Sequence, residues 1–347
     1  METSATRLHS LTGLRFVAAL VVVLFHVYVH TTGSVHAAIG PISRAGFVGV
    51  LFFFVLSGYL LTWGARRGVW DFYRRRFARI YPAFIASLIF GTGVLFVLGR
   101  QPGITSLLNL VLLQSWSPHQ LSVNVINEPG WSLSAEAFFY ALFPAAIVWV
   151  RRGSRRTLVA ASMLSWVAVA VAGYLGHWSL LDDQTQEFLG RLPLLLGGAF
   201  LVGMIAARAQ HEGWAPKISL RAAVASAGAL YLLCCWEPMA PSANLILLPA
   251  LVAVVIAAAQ ADLNGARSIW RTPTMLKLGA ESYCLYLFHW PVLDLLARRP
   301  LALPSIWVAV LVLPIAMSLA HLVHRTVEQP AERWLRPGHD LSAADVG

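Results

Sequence analysis

The chain has 347 residues, of which 58% are hydrophobic and only 12% are charged, with a mean hydropathy of +0.66. Soluble domains carry about 25% charged residues, so this composition excludes an ordinary soluble globular protein and indicates a membrane protein with several spans. The net charge of +10 does not point to a nucleic-acid partner, because the cytosolic loops of membrane proteins are rich in Lys and Arg. The three cysteines lie in apolar runs and predict neither a disulfide framework nor a metal site.

Ten apolar runs of about 17 residues or more are long enough to cross a bilayer as helices. They are residues 11–30, 47–64, 82–99, 132–150, 157–176, 191–208, 220–236, 244–260, 279–297 and 304–323. With the N-terminus in the cytosol, 21 of the 26 Lys and Arg residues fall on the cytosolic side, which favours an N-in, C-in topology. The sequence therefore predicts an all-α bundle of about ten transmembrane helices in the cell membrane. We expect one membrane domain over residues 8–336 and a short polar cytoplasmic tail over residues 337–347.

The first run contains two ionisable residues, Arg15 and His26. At about 100° per residue their spacing places both side chains on one helix face, about 16 Å apart along the axis. Ionisable side chains inside a membrane helix are costly and are therefore functional candidates. The alternative is that Arg15 extends to the cytosolic headgroups and that His26 is a packed, hydrogen-bonded histidine.

In the second run, Ser57, Gly58 and Tyr59 interrupt an otherwise apolar sequence. Glycine admits a neighbouring backbone, and serine can hydrogen-bond across helices, so helix packing explains Ser57 and Gly58 best.

The segment that follows holds six arginines between Arg66 and Arg79. Arg76 and Arg79 are three residues apart and share a face if the segment is helical. The excess of positive charge typical of cytosolic loops explains only a few of these arginines. Their density predicts an anionic lipid or a phosphate-rich cytosolic ligand, because guanidinium groups bind phosphate bidentately.

Residues 104–116 are apolar but too short to span, which predicts a re-entrant or interfacial helix. The fourth run begins after the break at 127–130 and places Glu136 about 7 Å into its helix. His26 has a similar predicted depth, and a carboxylate can orient an imidazole that acts as a general base. The alternative is that the helix dipole stabilises Glu136 near its first turn. Glu128 is expected to be a solvated loop residue.

The ninth run places Tyr286 and His289 on one face near the middle of the membrane. Pro291 cannot donate to the carbonyl of Leu287 and predicts a kink there. His289 lines a channel or is a buried, hydrogen-bonded histidine. Asp294 is expected to pair with Arg298, four residues later.

Taken in this order, the motifs resemble the acyltransferase 3 family of integral-membrane O-acyltransferases over about residues 8–336. TGLRFVAALVVVLFH is similar to the family's basic-x10-His motif, and FFFVLSGYLLT to its second-helix motif. RRFARIYP carries the Arg-x-x-Arg pair, PGWSLSAEAFFY the family's glutamate at Glu136, and SYCLYLFHWPV the late Tyr and His positions. Two positions depart from the pattern: Thr12 stands where relatives often have Asp, and Gln329 where they often have Arg.

The resemblance implies an O-acyltransferase that moves an acyl group, most often acetyl, from cytosolic acyl-CoA to a hydroxyl of a surface glycan, glycolipid or macrolide-type acceptor. It assigns catalysis to His26 as base or transient acyl carrier, supported by Glu136, with Arg15 beside them. It assigns acyl-CoA binding to Arg15, Arg75, Arg76 and Arg79, and a substrate channel to Ser57, Tyr59, Trp131, Tyr286 and His289. Acyl-CoA is a co-substrate, and no permanent cofactor, metal or nucleic acid is implied.

Two other functions fit a bundle with polar residues at mid-membrane. One is a transporter or flippase of a glycolipid or small molecule, which a visible repeat of broken helices would favour. The other is a non-catalytic membrane scaffold, which has no need of Arg15, His26 and Glu136 inside the membrane.

Overall fold

A computed structural model describes residues 8–65, 68–119, 126–298 and 300–335 of the chain. All regular elements in these ranges are helical, with thirteen α-helices joined by short 3₁₀ turns. The α-helices are α1 His9–His30, α2 Gly33–Ser43, α3 Val48–Trp63, α4 Val69–Val97, α5 Trp131–Arg152, α6 Arg155–Leu175, α7 Asp183–Gly190, α8 Pro193–His211, α9 Leu220–Cys234, α10 Ala243–Leu263, α11 Pro273–Ala297, α12 Ser305–Val323 and α13 Gln329–Leu335. A π-helical turn, His324–Glu328, joins α12 to α13.

Eight helical segments are long and apolar enough to cross a membrane, which confirms a multi-pass all-α bundle. They correspond to eight of the ten predicted spans. The other two predicted spans are the 15-residue α9, which is shorter, and the 25-residue α11, which carries Glu281, His289 and Asp294. The N-in, C-in topology stays a prediction from the charge distribution. The predicted tail, 337–347, lies outside the described residues, as do Arg66 and Arg67.

Glycines allow the central helices to pack at short distance. An added Cβ at Gly58 in α3 would overlap the carbonyl oxygen of Phe200 in α8, and one at Gly203 would overlap that of Val55. The close approach predicted at Gly58 is therefore confirmed, and α3 and α8 run parallel along it. Gly279 makes the same kind of contact between α11 and α1, at the carbonyl of Thr12. Small residues at such crossings gain van der Waals contact where lipid provides no hydrophobic driving force.

The apolar segment that the sequence predicts as one re-entrant helix is two 3₁₀ turns, Ile104–Asn109 and Gln114–Trp116. Gln114 Nε2 donates to the carbonyl of Gly130 at 2.7 Å, which ties the second turn to the start of α5. Leu107 and Val111 stay exposed, as expected for a segment that faces lipid.

The helix α11 is continuous through Pro291, although proline removes one hydrogen bond from its backbone. At its end Asp294 Oδ1 accepts from Arg298 Nε at 2.8 Å, so the ion pair predicted from their spacing is confirmed.

Candidate active site

Two cavities lie inside the bundle, and both have polar walls. The first, of about 130 Å³, is here named the arginine cavity, and the second, of about 250 Å³, the histidine cavity. Polar residues that line the arginine cavity are Arg15, Ser57, Arg76, Arg79, Ser132, Glu136, Tyr140 and Tyr283. Polar or aromatic residues that line the histidine cavity include His26, Phe47, Glu128, Trp131, His177, Glu187, Arg191 and Asn244. Val50, Phe54 and Tyr286 line both and form a wall between them.

In the arginine cavity, Glu136 is held by two hydroxyl groups. Its Oε1 accepts from Ser57 Oγ at 2.8 Å, and its Oε2 accepts from the Tyr140 hydroxyl at 3.0 Å. Arg15 and Arg76 line the same space, and neither guanidinium makes a hydrogen bond or ion pair to a residue of the described ranges. Two cations beside one carboxylate leave an excess of positive charge, so the cavity is suited to an anionic ligand.

Arg79 also reaches this cavity, but carboxylates of the C-terminal segment neutralise its charge. Its Nη1 pairs with Glu328 and, at 2.8 Å, with Glu332. Glu328 Oε2 accepts in addition from His324 Nδ1 at 2.9 Å and from Cys284 Sγ at 3.0 Å. Cys284, His324 and Glu328 bring potential ligand atoms within 4.8 Å of one another, and the ion pair with Arg79 engages the same carboxylate. The prediction that Cys284 belongs to no metal site stays a prediction.

Arg75 is half-buried and lines neither cavity. Of the four arginines assigned to acyl-CoA from the resemblance, only Arg15 and Arg76 therefore offer unpaired guanidinium groups to the arginine cavity. Arg79 is neutralised, and Arg75 lies outside both cavities, because consecutive residues of a helix point in different directions. The assignment of Arg75 to acyl-CoA stays a prediction.

In the histidine cavity, His26 lies between a carboxylate and a second histidine. Its Nε2 is 3.2 Å from Glu128 Oε2, and its Nδ1 is 2.9 Å from His289 Nε2. Arg191 pairs with the other oxygen of Glu128 and, at 3.1 Å, with Glu187. His26 is 8% exposed and the Glu128 side chain 18%, so water screens these charges only weakly.

The hydrogen-bond partners of the two histidines allow their tautomers to be assigned. His289 Nδ1 is 3.2 Å from the carbonyl of Leu285, which can only accept, so this nitrogen is assigned the hydrogen. A neutral His289 then accepts at Nε2 from His26 Nδ1. With its hydrogen on Nδ1, a neutral His26 has Nε2 as the nitrogen that can accept a proton. Glu128 Oε2, 3.2 Å from that nitrogen, can stabilise the imidazolium that would form.

The structure corrects the predicted pairing of His26 with Glu136. The oxygens of Glu136 accept from Ser57 and Tyr140 in the other cavity, and the carboxylate beside His26 is Glu128, which the sequence analysis takes for a solvated residue. One signal was present in the sequence: Glu128 and Arg191 are among the few charged residues on the predicted outer side, and opposite charges there favour pairing.

Two of the predicted channel residues do not line a cavity. The hydroxyl of Tyr59 is buried and donates to Gln210 Oε1 at 2.8 Å, in the contact between α3 and α8. His289 is fully buried behind His26, which agrees with the alternative of a hydrogen-bonded histidine. The side chains of both residues therefore point away from the cavities that a substrate channel would use.

The other three channel residues are at cavity surfaces. Ser57 lines the arginine cavity, Trp131 the histidine cavity and Tyr286 both. The Tyr286 hydroxyl donates to the carbonyl of Pro129 at 3.0 Å and lies 2.7 Å from Ser132 Oγ. Arg191 lies over the Trp131 ring, 5.4 Å from its centroid, and so forms part of the same surface as Glu128.

A sequence profile described as an acyltransferase domain matches residues 8–325. The chain is 29% identical to the acyltransferase MdmB of Streptomyces mycarofaciens, over 96% of this chain and 94% of that protein. It is 24% identical to the peptidoglycan O-acetyltransferase OatA of Listeria monocytogenes, over 93% of this chain but only 56% of that protein. It is 28% identical to the exopolysaccharide production protein ExoZ of Rhizobium meliloti, over 74% of this chain and 80% of that protein. No solved structure matches the chain.

Proposed function

Because the chain belongs to the acyltransferase 3 family, we propose that it moves an acyl group, most often acetyl, from acyl-CoA to a hydroxyl of a sugar-containing acceptor. Its relatives include proteins named for O-acetylation of peptidoglycan and for exopolysaccharide production, which supports a glycan as the acceptor class. A macrolide-type acceptor remains within the same chemistry, since it also presents a sugar hydroxyl. The family favours an enzyme over the transporter and scaffold alternatives.

The donor is proposed to bind at the arginine cavity. Acyl-CoA is an anion whose phosphates need cationic partners, and Arg15 and Arg76 have no ion-pair partner within the described ranges. Glu136, fixed by Ser57 and Tyr140, serves as a counter-charge that lessens the repulsion between the two guanidinium groups. The acyl end of the donor would pass the wall at Tyr286 to reach His26.

The acceptor is proposed to bind at the histidine cavity, where His26 acts as general base. The acceptor oxygen attacks the thioester carbonyl carbon while its proton moves to His26 Nε2, and Glu128 stabilises the imidazolium that forms. The carbon–sulfur bond then breaks, and the proton passes from His26 to the departing CoA sulfur. In the second form of the mechanism, Nε2 first takes the acyl group from CoA and then passes it to the acceptor hydroxyl.

One observation carries this proposal: two unpaired guanidinium groups and a histidine–carboxylate pair lie on opposite sides of a wall of three side chains. The proposal is that an anionic donor and a hydroxyl acceptor meet at one transfer point from the two sides of this wall.

The test uses membrane vesicles that contain the chain, acetyl-CoA, and a panel of glycan and macrolide-type acceptors, with release of free CoA thiol followed over time. Release that requires an acceptor and is lost in His26→Ala supports the proposal. Equal release by His26→Ala would remove His26 from the mechanism. No release with any acyl-CoA from folded protein would favour the transporter alternative.

A further inference from the structure

We propose that Asn127 and Pro291 form one positioning unit, which places Glu128 beside His26. For its kinetic readout this inference rests on the proposed function, because it explains how the acid–base pair of that site is assembled. Neither residue touches a reacting atom, so both are positioning residues rather than catalytic ones.

The unit begins with a backbone carbonyl that has no partner in its own helix. Pro291 has no N–H group, so the carbonyl of Leu287, four residues earlier in α11, receives no helical hydrogen bond. Asn127 Nδ2 donates to this carbonyl at 3.0 Å and to Ser87 Oγ of α4 at 3.1 Å. Asn127 is fully buried, so its amide cannot exchange these partners for water.

The backbone around Glu128 is tied at further points. The carbonyl of Pro129 accepts from the Tyr286 hydroxyl, and the carbonyl of Gly130 accepts from Gln114 Nε2. Glu128 directly follows Asn127, so the hydrogen bond of Asn127 to α11 determines the position of the Glu128 side chain.

Both partners of His26 therefore depend on a single turn of α11. His289, whose Nε2 is 2.9 Å from His26, precedes Pro291 by two residues. The carbonyl that Asn127 uses, at Leu287, lies two residues before His289. Pro291 leaves the carbonyl of Leu287 free to accept a hydrogen bond, in the turn that carries His289. Asn127 donates to this carbonyl and thereby places Glu128 on the side of the His26 imidazole opposite His289.

The chain contains a matched control for the experiment. Pro249 in α10 leaves the carbonyl of Leu245 without a helical partner, and Trp166 Nε1 donates to it at 2.8 Å. In both places an external donor binds a carbonyl that a helix proline leaves free, but Trp166 and Pro249 line neither cavity. Any general effect of removing a helix proline or its external donor will appear in this pair as well.

The experiment measures kcat and KM for acetyl-CoA in Asn127→Asp, Pro291→Ala and the double variant. Asn127→Asp keeps the volume but cannot donate to the carbonyl of Leu287. Pro291→Ala restores a helical donor to that carbonyl and is compatible with folding, since alanine favours a helix. Each change is expected to lower kcat about 10- to 100-fold through misplacement of Glu128, with KM within about twofold of the wild type.

The double variant decides whether the two residues act as one unit. We expect its kcat to fall no further than in the more severe single variant, while Trp166→Phe and Pro249→Ala keep the wild-type kcat. If the fold losses in kcat of the two single variants multiply in the double variant, Pro291 acts through His289 alone. That result would overturn the proposal that Asn127 and Pro291 form one unit. Wild-type kcat in Pro291→Ala would overturn it too.

Hydrogen–deuterium exchange of the purified protein provides a readout without turnover. Exchange of the amides in residues 126–131 is expected to be faster in Asn127→Asp and in Pro291→Ala, and unchanged in Trp166→Phe. Unchanged exchange in Pro291→Ala would contradict the inference. If the wild type shows no thiol release that depends on His26, the proposed function fails, and the exchange result alone decides the inference.

Discussion

At the scale of single residues, Glu128 and Glu136 have hydrogen-bond partners that give them different chemistry. Glu136 accepts from the hydroxyls of Ser57 and Tyr140, which are weak acids and do not exchange protons readily near neutral pH. Glu128 faces the imidazole of His26, whose ring nitrogens can accept or donate a proton. A carboxylate beside a base stabilises the cation that forms during proton transfer, so we assign this role to Glu128 and the role of a fixed counter-charge to Glu136.

The assignment of Glu128 predicts the effect of an isosteric change. Glu128→Gln keeps the shape of the cavity but removes the charge that stabilises a protonated His26, and kcat is expected to fall about 100-fold or more. The KM for acetyl-CoA should not change, because we propose that the donor binds in the other cavity. Steady-state kinetics of thiol release measures both constants, and an unaltered kcat would show that His26 works without this carboxylate.

Arg76 lines the arginine cavity, whereas Arg75, the preceding residue, lies outside it. This difference provides a second prediction. Arg76→Gln should raise the KM for acetyl-CoA about tenfold or more, since charge-assisted hydrogen bonds to phosphate are lost. Arg75→Gln removes the same charge outside the cavity and should leave KM near that of the wild type. The same kinetic assay compares the two, and equal effects would indicate attraction by the whole basic segment rather than binding by Arg76.

At the scale of elements, the sequence allowed the helices to be predicted far better than the contacts of the site. A helix that crosses the bilayer requires a long run of apolar residues, and such runs are visible in the sequence. All ten predicted spans therefore coincide with helices of the described chain. Depth along each helix follows from its 1.5 Å rise, but the similar depth predicted for His26 and Glu136 did not identify a contact, because Glu136 pairs with Ser57 and Tyr140 instead. The rotation of one helix relative to another depends on glycine contacts such as Gly58 with Phe200, between residues far apart in sequence.

The same argument explains why Glu128 and Tyr59 were misassigned. Glu128 precedes α5 in a 3₁₀ turn, Glu128–Gly130, and nothing local shows that this turn folds back into the bundle. Tyr59 lies next to cavity residues in sequence, but its side chain points to α8, where Gln210 accepts its hydroxyl. Contacts of this kind are set by tertiary packing, which a single sequence does not encode in any local pattern.

Arg79 of α4 pairs with the C-terminal segment, so Arg79→Gln is expected to lower the stability of the protein rather than its affinity for the donor. Glu328 is 1% exposed, and Arg79→Gln leaves its charge without its main partner. Removal of one member of a buried ion pair costs about 3–5 kcal/mol, so Tm in detergent should fall clearly.

Two variants control this result. Arg79→Gln combined with Glu328→Gln removes the unpaired charge and should recover part of the loss. Glu212→Gln breaks the exposed pair of Arg208 and Glu212 and should change the stability by about 0.5 kcal/mol or less. Tryptophan fluorescence during heating measures all of these variants, and a small effect of Arg79→Gln alone would mean that Glu328 is neutral in the folded protein.

At the scale of the whole molecule, the proposed function divides the reaction between two cavities at different levels of the bundle. Arg15 lies in the first turns of α1 and His26 near its other end, so the arginine cavity faces the end rich in Lys and Arg. In the predicted N-in, C-in topology that end is cytosolic, the side from which acyl-CoA is proposed to bind, and the histidine cavity lies towards the opposite end of α1. The wall of Val50, Phe54 and Tyr286 then separates a cytosolic donor from an external acceptor.

This division predicts that the reaction has a fixed sidedness. In sealed vesicles of known orientation, acetyl-CoA should support transfer only from the cytosolic face, because its charged phosphates cannot cross the bilayer and we propose that they bind Arg15 and Arg76 from that side. An acceptor that does not cross membranes should be acylated only on the opposite face, and His26→Ala should abolish both signals. Thiol release on one face and labelled acceptor on the other are measured separately. Donor and acceptor used from the same face would mean that the two cavities share one entrance, and the wall at Tyr286 would then have no part in separating the substrates.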